Sequence, residues 1–177
     1  MTTSERYDSV AIALHWSIAA LIGLAFVIGL TVDDFPKEMT GAVINVHALL
    51  GLTVLLLSLF RLVWRLGHPA PDLPATMPPL ARNVAKITHA GLYLLMVVVP
   101  IIGIPTLLWR GRGLDFGLFQ IASPFARTPE IFRPLTEVHE IASFALIGLA
   151  AAHILAALYH QYIRRDAILT RMSPWRG

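Results

Sequence analysis

The sequence predicts an all-α integral membrane protein, a four-helix bundle with both termini cytoplasmic. Three observations predict it. Mean hydropathy is +0.66. Of 177 residues, 56% are apolar and only 14% charged, against roughly 25% charged in a soluble domain. Four stretches reach the ~20 apolar residues that a helix needs to cross the hydrocarbon core: 10–32, 42–66, 87–109 and 138–163. Strands of a membrane barrel would alternate apolar and polar residues, and these stretches do not. A chain of this length fits one domain, so residues 1–177 are read as a single transmembrane domain whose first partner is the lipid bilayer. The first apolar run is long enough to span and lacks an A-x-A site after it, so no cleavable signal peptide is expected.

Each element has its own marks. The third span carries Pro100 and Pro105, which predict a kink near its far end. The first loop, "DDFPKEMTG", is acidic on balance. The second, "GHPAPDLPATMPPLARN", is proline-rich and cannot be regular helix throughout. The third, residues 110–137, is long enough to be functional or to hold short elements of its own. With a cytoplasmic N-terminus, the inner side holds Arg6, Arg61, Arg65, Arg82, Lys86, Arg164, Arg165, Arg171 and Arg176. The outer side then holds Lys37, Arg110, Arg112, Arg127 and Arg133. The excess of inner cations predicts both termini inside.

Several chemistries are excluded by composition. There are no cysteines, which removes disulfides, zinc–thiolate sites, iron–sulfur clusters and covalent c-type haem attachment. The pI near 9.7 invites a nucleic-acid partner, but the basic residues flank apolar spans, so no nucleic acid is expected. The spans lack embedded carboxylates, which argues against a proton pump or cation transporter.

Histidine is the polar residue the spans retain. His139 and His153 are fourteen residues apart on the fourth span. That is about 1400° of helical rotation, leaving them within roughly 40° of one face and ~21 Å apart along the axis. His160 lies seven residues further on, near the same face. His47 stands at the depth of His139 and His15 at the depth of His153, so two pairs are expected, one outer and one inner. Two neutral imidazoles from facing helices are a standard axial pair for haem iron. Gly51, Gly148, Ala150, Ala156 and Ala157 are small enough to let a porphyrin or a helix approach closely. A single intramembrane histidine is as often a structural hydrogen-bonding group as a ligand, and His15, beside Trp16, also reads as an interfacial anchor. Two depth-matched pairs on three helices favour haem.

The stretches "ALHWSIAALI" (13–22), "INVHALLGL" (44–52), "RLVWRL" (61–66), "THAGLYLLMVVVPIIG" (88–103), "RGRG" (110–113), "EVHEIASFALIGLAAAHILAALYH" (137–160) and "LTRMSP" (169–174) together span nearly the whole chain. In combination they resemble the bacterial cytochrome b561 family, small four-helix di-haem proteins related to the cytochrome b subunits of nickel hydrogenases. The resemblance implies two haem b groups in the bacterial inner membrane, with His15, His47, His139 and His153 as axial ligands of haem iron. It implies a superoxide oxidase activity: superoxide gives an electron on the periplasmic side, and ubiquinone is reduced near the cytoplasmic side. Against that implied activity, Arg110, Arg112, Arg127 and Arg133 become candidates for steering an anionic donor; ordinary loop solvation is the plainer reading. His89 and His160, unassigned as ligands, become candidates for the ubiquinone site, where imidazole can donate a hydrogen bond and relay protons. Tyr159, Arg82, Lys86 and Arg164 are their expected neighbours. The alternative is an electron-relay and membrane-anchor subunit with a redox partner protein such as a hydrogenase or dehydrogenase. A non-redox transporter is a third reading.

Overall fold

The computed structural model describes residues 6–73, 77–166 and 168–174. Four long helices dominate: α1 (Ser9–Thr31), α2 (Lys37–Gly67), α3 (Pro79–Trp109) and α4 (Pro129–Tyr159). All four are long and apolar enough to cross a membrane. A short antiparallel hairpin, β1 (Leu114–Asp115) and β2 (Gln120–Ile121), joins α3 to α4.

The helix starts follow local chemistry. Asp8 caps α1: its carboxylate accepts the Ala11 N–H at 2.9 Å, meeting one of the four backbone donors that a helix start leaves unpaired. Pro79 and Pro129 open α3 and α4, where a fixed φ helps and a missing N–H costs nothing. That is why α3 and α4 begin earlier than the apolar runs alone suggested, and α2 likewise begins early, directly after Pro36. α2 starts at Lys37 rather than 42, α3 at Pro79 rather than 87, and α4 at Pro129 rather than 138. The long third loop is correspondingly shorter, and it does hold a short element, the hairpin. α3 continues as one helix through Pro100 and Pro105.

Packing is sequential: α1 lies on α2, α2 on α3 and α3 on α4. The interior face of α1 is Ala11, Leu14 and Ile18, at the i, i+3, i+7 spacing of one helical stripe. On α2 it is Val54, Leu55, Ser58 and Arg61. Large apolar side chains such as Val63, Ile87, Ile141 and Leu155 face outward. Water would penalise such a surface and hydrocarbon does not, so the bilayer accounts for it. α1 and α4 meet through aromatic rings: Phe26 and Phe144 at 5.4 Å, and His15 and His153 at 6.3 Å between centroids.

Arg61, in the count of cations expected on the inner side, is not a surface charge: it is 7% exposed, inside the bundle. Its position on the α2 stripe that carries Val54 and Ser58 turns it inward. Removing it narrows the charge asymmetry without reversing it. Arg176, also in that count, lies outside the described residues.

Beyond α4, a π-helical turn (His160–Arg164) ends in Arg165 at φ 55°. A short 3-10 segment, Leu169–Met172, then folds back on the amino-terminal region. The Tyr7 N–H donates to the Arg171 carbonyl at 3.2 Å and Trp16 Nε1–H to the Met172 carbonyl at 2.7 Å. The Arg171 guanidinium donates to the Asp72 carbonyl at 2.6 Å. Both ends of the described chain and the α2–α3 loop therefore close the same end of the bundle.

Candidate functional site

His47 and His139 each stand ten residues into their helices, about 15 Å from the helix start. Their rings face across the bundle with centroids 5.9 Å apart and planes at 81°. The two rings are held in the same way. His47 Nδ1 lies 2.9 Å from the Ala25 carbonyl on α1, and His139 Nδ1 lies 3.0 Å from the Val99 carbonyl on α3. A carbonyl only accepts, so each Nδ1 carries the proton and each Nε2 keeps its lone pair. Four residues beyond each acceptor comes a glycine. A Cβ on Gly29 would stand 3.1 Å from His47 Cε1, and one on Gly103 would stand 3.1 Å from His139 Cε1. Glycine at these two helix positions lets an imidazole lie against the neighbouring backbone.

A narrow apolar cavity adjoins this pair where the four helices meet, lined in part by Phe26, Gly51, Val54, Pro100 and Leu146. Gly51 has nothing within 4 Å of where its Cβ would stand.

The second pair lies toward the closed end. His15 and His153 have centroids 6.3 Å apart and planes at 79°. Gly148, just above His153 on α4, is likewise open where a side chain would stand. His89 is also near, 5.2 Å from His153 with planes at 65°. Two imidazoles on opposite sides of one metal need two nitrogen bonds of ~2 Å, and each ring centre lies about 1 Å behind its nitrogen, so the centroids stand ~6 Å apart. The His47–His139 and His15–His153 separations match that spacing. The His89–His153 separation is too short for that opposed arrangement. His160 is two helical turns beyond His153, and its Nδ1 contacts Asp166 Oδ2 at 2.5 Å. His68 lies in a loop, stacked on Trp64.

Three of the four arginines expected on the outer side come together. Arg110, Arg112 and Arg127 line one open pocket of about 670 Å³ with Thr40, Phe125 and Phe132. Arg110 and Arg127 both lie over the Phe132 ring, at 5.0 and 5.6 Å from its centroid, and Arg110 donates to Thr136 Oγ1 at 3.0 Å. Burial, then the Arg112 charge, draws the Arg110 guanidinium below its ordinary pKa, though it remains a cation. Arg133 is not part of this group; it is exposed on the first turns of α4. The hairpin beside the pocket is pinned to α2 by Asn45, whose amide both donates to the Asp115 carbonyl (2.8 Å) and accepts its N–H (2.9 Å).

Sequence reading missed four features. Gly29 and Gly103 look like ordinary helix-packing glycines. Arg61 and Tyr93, bonded at 3.1 Å, are far apart in sequence. Asp166 gives a signal only as the one carboxylate just past the last span. Asn45 is indistinguishable from any polar residue near a helix start.

Paired imidazoles between apolar helices, one nitrogen pinned and the other free, suit the axial positions of haem iron. The class this defines is a membrane cytochrome of b type. The chain belongs to the prokaryotic cytochrome b561 family, matched over residues 6–175, and is a multi-pass haem b protein of the bacterial inner membrane. It is 30% identical to a probable superoxide oxidase CybB from Yersinia pestis over 175 residues, covering 96% of this chain and 97% of that protein. It is 30% identical to cytochrome b561 homolog 1 of Escherichia coli (strain K12), covering 97% and 99% respectively. It is 32% identical to a cytochrome b562 from Cereibacter sphaeroides, covering 97% and 98%.

Proposed function

We propose that this chain, acting as one transmembrane domain with both termini cytoplasmic, carries electrons from superoxide at the periplasmic side to ubiquinone at the cytoplasmic side through two haem b groups. The observation that carries the reading is the pair of imidazole separations, 5.9 and 6.3 Å, on opposite halves of the bundle. His47 and His139 would hold the outer haem, and His15 and His153 the inner. Bound haem supplies one-electron ferric–ferrous chemistry; the chain's own residues do the rest.

Arg110, Arg112 and Arg127 gather an anionic donor at the outer face, because a cluster of like charge in an open cleft raises the local concentration of the opposite charge. Arg133, outside that cleft, contributes only long-range field. At the inner end, His89 and His160 serve the quinone. The Asp166 carboxylate holds His160 Nδ1, so a proton can leave Nε2 toward a bound oxygen and be replaced through the carboxylate side. The name of the Yersinia relative supports superoxide as the donor. The test is stopped-flow mixing of the purified protein with superoxide, followed by ubiquinone. Haem reduction and then quinone-dependent reoxidation, without any partner, is the expected result. Failure of superoxide to reduce the haems, with a hydrogenase or dehydrogenase co-purifying, would replace this reading with that of a relay subunit.

A further inference from the structure

Arg61 is the one charged side chain among the described residues that is buried. It lies within a membrane span, where an arginine is costly and therefore points to function. Its Nη1 donates to the Ala11 carbonyl at 2.6 Å and its Nε to the Tyr93 hydroxyl at 3.1 Å. Ala11 is one helical turn before His15 on α1, and Tyr93 one turn after His89 on α3. The guanidinium thus sits between the turns that carry two of the inner histidines. Its partners are neutral. Among the described residues, the ion pair formed is His160 with Asp166, and no carboxylate pairs with Arg61. Three residues earlier on the same face, Ser58 is fully buried with no partner for its Oγ. The inner half of the bundle therefore carries an uncompensated cation. Among the described residues the outer pair has no buried charged counterpart; its pinned nitrogens meet backbone carbonyls, and Arg110, Arg112 and Arg127 line an open pocket where water and salt screen them.

We propose that Arg61 is a positioning residue that raises the electron affinity of the inner site above that of the outer one, and so sets the direction of transfer. This rests on the di-haem reading above. Superoxide loses one electron to become dioxygen, and one ferric iron becomes ferrous. That step lowers the charge of whichever site holds the electron by one unit. A fixed cation in a medium of low dielectric favours the lower charge, and the arginine cation does not titrate away.

The test is an equilibrium redox titration of the purified holoprotein, followed by haem absorbance. The inner component is identified as the one missing from His15→Ala. In the wild type its midpoint should lie above that of the outer haem. Arg61→Gln should lower the inner midpoint and leave the outer one unmoved, while Arg61→Lys, which keeps the charge, should retain most of the wild-type value. Tyr93→Phe, which removes one bond but no charge, should leave both midpoints nearly in place. An inner midpoint at or below the outer one in the wild type overturns the proposal, and this arm needs no variant to fold. So does an Arg61→Gln protein that holds both haems with an unchanged inner midpoint. A wild-type protein with a single haem would instead sink the di-haem reading itself, and this inference with it.

Discussion

Replacing Gly103 or Gly29 by alanine isolates what the two glycines do. The added methyl carbon would stand 3.1 Å from Cε1 and 3.4 Å from Nδ1 of His139 or His47. Carbon–carbon contacts are optimal at about 3.5–4.0 Å, so the ring must retreat by a few tenths of an ångström. It can do so only by lengthening the Nδ1–H···O=C bond, now 3.0 Å at His139 and 2.9 Å at His47. A typical net hydrogen bond contributes about 0.5–1.5 kcal/mol, which is roughly a two- to tenfold loss of affinity for the outer haem. The helix itself should not suffer, because alanine is favoured over glycine in a helix interior by up to about 1 kcal/mol. The expected signature is therefore split: weaker outer-haem binding in a titration of apoprotein with haem, and apoprotein thermal stability equal to or above wild type. Gly23→Ala is the control, since its Cβ would meet nothing within 4 Å; it should bind haem normally. Wild-type haem affinity in both Gly29→Ala and Gly103→Ala would refute the reasoning, as would an equal loss in Gly23→Ala.

Alanine at His47 or His139 should remove one haem per chain and leave the inner one, with the reverse for His15 or His153; haem-to-protein ratios read this directly, and two haems retained in His153→Ala would remove His153 from the ligand set. Gln at Arg110, Arg112 and Arg127 together should slow haem reduction by superoxide, and added salt should slow the wild type, while Arg133→Gln should have a much smaller effect; equal effects from all four would dissolve the distinction drawn from the pocket. His160→Ala and Asp166→Asn should leave both haem spectra and superoxide-driven reduction intact but slow reoxidation by ubiquinone, measured in the second mixing step. Partial burial alone would raise the Asp8 carboxyl, but bonds from the Ala11 N–H and Trp64 Nε1–H outweigh it and hold the pKa below the ordinary 3.8. A depressed folded pKa contributes stability that is present above the unfolded value and lost as pH falls through the folded one. Asp8→Ala should therefore cost about 0.5–2 kcal/mol at neutral pH, the usual range for an N-cap, and its thermal-unfolding deficit should shrink below pH 4; a deficit constant with pH would contradict the ionised cap.

The four spans and the histidine depths were legible in the sequence for a simple reason. Hydrocarbon thickness fixes how many apolar residues a crossing needs, and a constant rise per residue converts sequence position into depth. His47 and His139 therefore pair from arithmetic alone, as do His15 and His153 once the helices run antiparallel. The haem family was legible because those histidines recur with their small neighbours in a recognisable string. Depth, however, is one coordinate of three. Rotation about each helix axis depends on which side chains interlock, and no single-helix pattern contains that. Only the packed bundle turned Arg61 inward onto Ala11 and Tyr93, gathered Arg110, Arg112 and Arg127 into one pocket while leaving Arg133 outside, and brought His89 nearer to His153 than two imidazoles on opposite sides of one metal would stand. Only the packed bundle could show why Gly29 and Gly103 are glycine, because the atoms that crowd a side chain there belong to helices elsewhere in the chain. Length, charge and periodicity are summed along one segment, so the sequence states them; which faces meet is a property of several segments at once, and tertiary structure alone decides it.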